Sequence, residues 1–403
     1  MAERDLDTTS PSIAELADRA RALQPILRER ARDTERNRRV SSETIQLFAD
    51  AELFKAVKPK RYGGFEHGPS ALVRVGYELG QACGSSAWCG TLSASNAWFA
   101  SYWSLAALND IWGERPDNLV AGTAVPTGRC ARVDGGYEVG GQWPWASNCD
   151  NADWCFVSAM LPEVDGAPQG VGWFMLPAAS LTIDQTSWNV SGMQGSGSKT
   201  LLAPEPIFVP EHRMVRFEDI QASATPGAAI PGNVQARLSF STFGAACLVG
   251  PLLGMAQGAL DCFIDTMKAK TRVAMRPGAP VSAASSPFTQ ERAGKASVAI
   301  DAARVLVLDG LTHAETKVRQ GEVLDVAERI RIRRNFGFAA QQAVTAVNLV
   351  FEGAGASSAD LDNPLQRFWR DVNAGARHVS LDGQMINSMV GQHLFGLPPI
   401  GGY

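Results

Sequence analysis

The sequence predicts a mostly helical protein with a central β domain. Three observations carry that prediction. Helical periodicity dominates to about residue 118, short extended runs broken by Gly and Pro occupy residues 119–228, and long apolar helical segments return over residues 229–403. Helix, sheet, helix in that order excludes a doubly wound α/β fold, which needs alternating βαβ units. The reading divides the chain into an N-terminal helical domain (1–118), a middle antiparallel β-barrel domain (119–228) and a C-terminal four-helix bundle (229–403).

In the first zone, Ser12 and Glu15 fit a capping box. Ile13, Leu16, Ala20, Leu23 and Leu27 then recur at helical spacing. "SSETIQLFADAELFKAV" predicts a second helix, "PKRYGGFEHGPS" a Gly/Pro loop, and residues 70–112 further helices around the small-residue-rich "GSSAWCGTLSASNAWFASYW". In the second zone, "VDGGYEVGGQWPW" places Asp-Gly-Gly between extended runs, with Tyr137, Val139 and Trp143 on one parity. That is a hairpin signal. "WCFVSAML", "GVGWFML" and "PIFVP" predict further short strands of a small antiparallel sheet or barrel. The third zone opens with one long apolar helix, "ARLSFSTFGAACLVGPLLGMAQGALDCFIDTMKAKTR". A second ends near Gly321 as C-cap, a third spans "AERIRIRRNFGFAAQQAVTAVNLVFEGAG", and Pro364 opens a fourth that runs into "RDVNAGARHVSLDG".

Composition narrows the function classes. Of 403 residues, 45% are hydrophobic and 19% charged, and the formal net charge is -4. No polybasic block favours nucleic acid or an anionic membrane. No run of about 18 apolar residues predicts a transmembrane helix. The polar start "MAERDLDTTSPS" lacks the apolar core of a signal peptide. The seven cysteines form no CxxC pair, so a cytoplasmic protein with reduced thiols is the simplest expectation. The five histidines show no HxH or HxxxH spacing, and no metal site is expected.

Four stretches could carry chemistry. "GMQGSGSKT", residues 192–200, is flanked by extended segments and therefore fits neither a dinucleotide fingerprint nor a Walker loop. It is either a Gly-rich turn or a loop whose backbone and Ser hydroxyls approach a flat or anionic ligand. Ser147 and Asn148 follow a strand, as a self-satisfied turn or as polar groups at a ligand edge. Nine of the ten Trp lie between Trp88 and Trp188, as core or as the lining of an aromatic pocket. In "RDVNAGARHVSLDG", Asp382 lies four residues after His378. On a helix that spacing lets a carboxylate orient an imidazole as a general base. The alternative is a helix C-terminus with His near the dipole end.

The zone order, with "GMQGSGSKTLLAPEPIFVPEHRMV" and "LVFEGAGASSADLDNPLQRFWRDVNAGARH", resembles the acyl-CoA dehydrogenase superfamily over about residues 12–395. A dehydrogenase of this superfamily keeps a catalytic glutamate just after an Arg-Asp pair. Here Arg370-Asp371 is followed by "VNAGARHVSLDG", with a histidine about where that glutamate would stand. "WGERPDNLVAGTAVPTGRCARVDGGYEVGGQWPWASNCDNADW" and "NPLQRFWRDVNAGARH" resemble the other branch, the oxygenase components of two-component flavin-dependent monooxygenases. The para-hydroxyphenylacetate hydroxylase and seco-steroid phenol hydroxylase types are the nearest in kind.

That resemblance implies reduced flavin (FMNH2 or FADH2) supplied by a separate flavin reductase, and O2. It implies a flavin C4a-hydroperoxide that hydroxylates an aromatic or polycyclic small molecule. It also implies a homotetramer. It makes His378 the base that accepts a phenolic proton, Asp382 its partner, and Ser147 the hydroxyl near flavin N5. Asn148, Gly195, Ser196 and Ser198 fall to the flavin, and Arg272 to a flavin phosphate. Asn96, Trp98 and Trp145 fall to the substrate. Asn96 stands where relatives often carry a histidine. An acyl-CoA dehydrogenase-type flavin oxidoreductase is the alternative.

Overall fold

The structure is a computed structural model and describes residues 10–163, 167, 169–272 and 281–403. Six helices come first: α1 (Ile13–Ala22), α2 (Gln24–Arg36), α3 (Ser42–Asp50), α4 (Ser70–Gly80), α5 (Gly84–Ala100) and α6 (Leu105–Trp112). The capping box of Ser12 and Glu15 is made in both directions. The second predicted helix stops at Asp50, because Glu52 enters the left-handed region at φ +61° and starts a new turn.

The middle zone holds two four-stranded sheets. One has the order β1 (Val120–Gly122), β4 (Trp154–Met160), β5 (Val171–Pro177), β8 (Met214–Arg216). The other has the order β2 (Arg129–Val133), β3 (Gly136–Ala146), β7 (Lys199–Pro210), β6 (Thr182–Asp184). The Asp134–Gly135 hairpin joins β2 to β3 as predicted, with Gly135 at φ +73°. Tyr137, Val139 and Trp143 all point inward, where residues of both sheets share one core. The sheets are antiparallel-rich, as expected, with two particulars. The strands divide into two separate ladders, and the β1–β4 pairing is parallel.

The short helices α7 (Phe217–Gln221) and α8 (Phe240–Phe243) lead into the bundle: α9 (Ala246–Ala269), α10 (Pro287–Arg319), α11 (Val326–Ala354), α12 (Pro364–Gly375) and α13 (Gly383–Leu394). The first apolar helix is therefore broken after Phe243. The segment Phe240–Ala269 is long and apolar enough to cross a membrane, yet 78% of its most apolar window is buried inside the protein. It is the core helix of the bundle. Gly80 on α4 and Gly254 on α9 let the two backbones meet, since a Cβ on Gly80 would lie 3.0 Å from the Gly254 Cα. One continuous core thus joins the N-terminal helices to the bundle.

"RDVNAGARHVSLDG" is not one helix. α12 ends at Gly375, His378 caps a short turn over Val379–Leu381, and Asp382 caps α13. The i, i+4 premise for His378 and Asp382 therefore fails. They stand on either side of a turn.

Candidate active site

The site is assembled by strand register. Ala146 at the end of β3 pairs with Lys199 at the start of β7. The next residues outward, Ser147 and Ser198, are thereby brought face to face, with their hydroxyl oxygens 2.6 Å apart. Ser198 continues to Ser196 at 2.8 Å, so three hydroxyls form a chain. Trp88 on α5 donates its indole N–H to Ser147 Oγ at 3.3 Å. The same indole meets the His378 imidazole, with ring centroids 6.2 Å apart and planes at 61°. Ser147, Ser198, Ser196 and His378 are thus one constellation with Trp88 as its centre.

The loop over residues 192–198 is clamped on every side. Arg370 donates to the Ser191 carbonyl at 2.6 Å and pairs with Glu35 of α2 at 2.5 Å. Asp371 accepts the Met193 backbone N–H at 2.5 Å, holding that residue at φ +58°. A Cβ on Gly195 would lie 2.6 Å from Thr34 Cγ2, so this glycine serves close packing against α2. Cys89 Sγ donates to the Ser196 carbonyl at 3.3 Å. Below the loop, Lys199 and Asp150 form a buried ion pair at 2.6 Å. Burial pushes the Asp371 carboxyl up to about 6, against the opposing pull of the Met193 N–H.

His378 is exposed, in the turn between α12 and α13. Burial, aided by the Arg333 guanidinium, pushes its imidazole down to about 4. The lowered value leaves the ring neutral at pH 7. Its Nδ1 accepts the Ser380 backbone N–H at 3.2 Å. The proton of the neutral ring therefore resides on Nε2, which makes Nε2 a donor. Asp382 does not supply this orientation. Its Oδ1 accepts from Gln384 and Met385 N–H at 2.8 and 3.1 Å as the cap of α13. The expected His378–Asp382 partnership is replaced by one between His378 and Ser380.

Other expected residues divide. Trp145, beside Ser147, is 59% exposed and held at φ +67°, a costly backbone for an aromatic residue. Its accessible ring suits a flat ligand. Asn148 is buried and commits its amide N–H to Ser93, so its side chain anchors the turn. Asn96 is 4% exposed and donates to the Val120 carbonyl. Trp98 is corrected to a core residue. It has 0% accessible surface and gives its N–H to Gln235, so it lines nothing. The side chain of Arg272 lies outside the described residues. A cleft of about 620 Å3 lined by Asp110, Arg115, Asp153, Trp154 and Arg213 contains none of the constellation.

Two residues were missed in the sequence. Trp88 was one of many Trp, and its contact with His378 depends on Gly375, whose Cβ would come 3.3 Å from the indole. Arg333 did leave a signal. Ile330, Arg333, Gly337 and Ala340 recur at helical spacing on a buried face of α11, so one arginine of "RIRIRR" had to point inward.

The three hydroxyls, the accessible Trp145 ring and the backbone of the clamped loop fit a flat heterocycle with polar edges, such as a flavin. Comparison with known proteins agrees. Residues 246–383 match the model of the acyl-CoA dehydrogenase C-terminal domain. The chain is 32% identical to the flavin-dependent monooxygenase oxygenase subunit HsaA of Rhodococcus jostii (strain RHA1), over 94% of this chain and 97% of that protein. It is 32% identical to the FADH(2)-dependent resorcinol hydroxylase oxygenase component of Rhizobium sp. (strain MTP-10005), over 98% and 97%. The crystal structure of the HsaA monooxygenase from M. tuberculosis superposes with a TM-score of 0.90 at 29% identity, covering 97% of this chain and 99% of that one.

Proposed function

The chain belongs to the oxygenase components of the flavin-dependent monooxygenases, built on the acyl-CoA dehydrogenase fold, and from that membership we propose how its own residues hold flavin and a phenolic substrate. It is the oxygenase of a two-component system, and a separate reductase supplies the reduced flavin. The bound reduced flavin supplies the electrons that activate O2 for transfer of one oxygen to an aromatic ring.

The protein's part is positioning and exclusion. Ser147, at the accessible end of the hydroxyl chain, would hold the flavin edge. Ser198 and Ser196 fix the direction of its proton. Trp88 fills the space between Ser147 and His378. His378 meets the phenolic oxygen through Nε2–H, as a hydrogen-bond donor and not as the proton acceptor first expected. Trp145 covers the flat face of the ligand. The single observation that carries this reading is the Trp88 bridge from His378 to Ser147. A substrate oxygen at the histidine would then stand across one aromatic ring from a flavin edge held at Ser147.

The dehydrogenase alternative lacks support: between Asp371 and Asp382 there is no carboxylate to act as base. The homotetramer is supported by exposed apolar side chains on α10 (Phe288, Val298, Val305) and at the C-terminal end (Phe395, Ile400). A reducing, cytoplasmic setting is supported by seven free cysteines.

The test is rapid absorbance recording. Protein mixed anaerobically with FMNH2 or FADH2 is exposed to O2. The reading predicts a long-lived, spectrally distinct stage before oxidised flavin appears. Direct conversion to oxidised flavin at the rate of the free cofactor contradicts it.

A further inference from the structure

Behind the hydroxyl chain, three side chains close a ring. Lys199 Nζ donates to Asp150 Oδ2 and to Gln185 Oε1, both at 2.6 Å. Gln185 Nε2 donates to Asp150 Oδ1 at 2.9 Å. Lys199 and Asp150 are buried, and Gln185 is the exposed corner.

The ring sits where the two site segments leave their sheet. Ala146–Lys199 is the last pair of the β3–β7 ladder, and Ser147 and Ser198 stand one residue beyond it. Lys199 directly follows Ser198. Asp150 follows Ser147 by three residues, in the turn over Cys149–Asn151. Asp150 also lies under the bend between Ser196 and Ser198. Gly197 is held there at φ +52°, and a Cβ on it would come 3.2 Å from Asp150 Oδ2. The Lys199–Asp150 bridge thus joins the segment carrying Ser147 to the segment carrying Ser198. The hydroxyl contact between them tolerates little movement. At 2.6 Å it is a hydrogen bond, and about 1 Å of separation abolishes it.

Stability does not account for the ring. A buried ion pair can often be replaced by uncharged residues of similar volume at no loss, because desolvating both charges offsets their attraction. What charge-assisted, directional bonds supply is one fixed geometry.

We propose that Lys199, Asp150 and Gln185 are positioning residues for the site. The ring sets the distance between Ser147 and Ser198, and with it the place and the proton direction of the Ser147 hydroxyl. The inference rests on the monooxygenase reading only for Ser147 being the group that holds the flavin edge.

The probe is 5-fluorotryptophan incorporated into the flavin-free protein. The Trp88 indole donates to Ser147, so its fluorine resonance reports where that hydroxyl stands. Trp88→Phe identifies the line by its loss. The double variant Lys199→Met/Asp150→Asn leaves no buried charge unpaired. In it the Trp88 line moves toward its position in Ser147→Ala, while the protein melts close to the wild-type temperature. Gln185→Leu keeps the ion pair, changes an exposed position, and moves the line the same way by less. With reduced flavin and O2, the long-lived stage shortens about two- to tenfold in the double variant, the worth of one hydrogen bond. In the Ser147→Ala background the same double change shortens it no further, whereas a merely structural role would shorten it equally in both. The proposal is overturned if the Trp88 line stays in place in the double variant, if that variant melts well below wild type, or if the shortening is the same with and without Ser147. The resonance and melting readouts need no flavin, so their outcome is separate from that of the monooxygenase reading.

Discussion

The indole of Trp88 stands edge-on to the imidazole of His378, ring centroids 6.2 Å apart at 61°. Its N–H is given to Ser147. One side chain thereby touches both ends of the proposed reaction space. Trp88→Phe keeps an aromatic edge and removes one donor. Losing a single net hydrogen bond lowers product formed per reduced flavin consumed by about two- to tenfold. Product yield and peroxide release, measured together, check this. An unchanged yield contradicts the bridging role of Trp88.

Asp371 shapes the loop through the Met193 N–H and carries a titration consequence. Asp371→Ala leaves that buried N–H unsatisfied, and about 1–3 kcal/mol of stability is lost in denaturant unfolding. The carboxyl is raised from 3.8 to about 6 in the folded chain, so its contribution is fully present below pH 3.8 and is lost as pH rises through about 6. Asp371→Asn keeps an acceptor for Met193 and removes that titration. Its melting temperature therefore varies less than wild type across this window. Parallel curves for the two proteins would show that Asp371 does not titrate as described.

Gly195 has no space for a side chain. In Gly195→Ala the new methyl meets Thr34 Cγ2 at 2.6 Å and the Thr34 carbonyl at 2.8 Å, both on α2. Overpacking of this kind costs about 1–3 kcal/mol. The displaced loop carries Ser196 and Ser198 with it, so flavin affinity falls alongside stability. A variant that melts lower and binds flavin as tightly as wild type would separate the loop from the cofactor.

His378 is neutral over the ordinary working range. Its folded value of about 4 lies below the usual 6.5, so the stability of the neutral form is present above pH 6.5 and is lost as pH falls toward about 4. The acid limb of the pH profile of product yield that depends on His378 therefore lies near 4, not near 6.5. His378→Asn erases it. A limb at 6.5 that disappears in His378→Asn would contradict the lowered value.

Much of the fold was legible because its signals are local. The capping box at Ser12, the Asp134–Gly135 hairpin and the inward parity of Tyr137, Val139 and Trp143 depend on residues near one another in the chain. What failed depends on tertiary packing. Helical spacing made His378 and Asp382 look like partners, because it carries no information on where Gly375 ends the helix. Trp98 and Trp88 lie on the same helix, and only the packed structure separates a core indole from one that reaches the site. Ser147 and Ser198 were each named from the sequence. Their contact follows from the Ala146–Lys199 register, which couples residues about fifty positions apart.

The central claim is oxygen transfer from O2 to a phenol held at His378. The most direct measurement supplies reduced flavin, a phenol and isotopically heavy O2, and weighs the product by mass spectrometry. The account predicts hydroxylated product carrying one heavy oxygen atom, with none incorporated from heavy water. Product labelled from water, or peroxide as the sole fate of the O2 consumed across a panel of phenols, would contradict it.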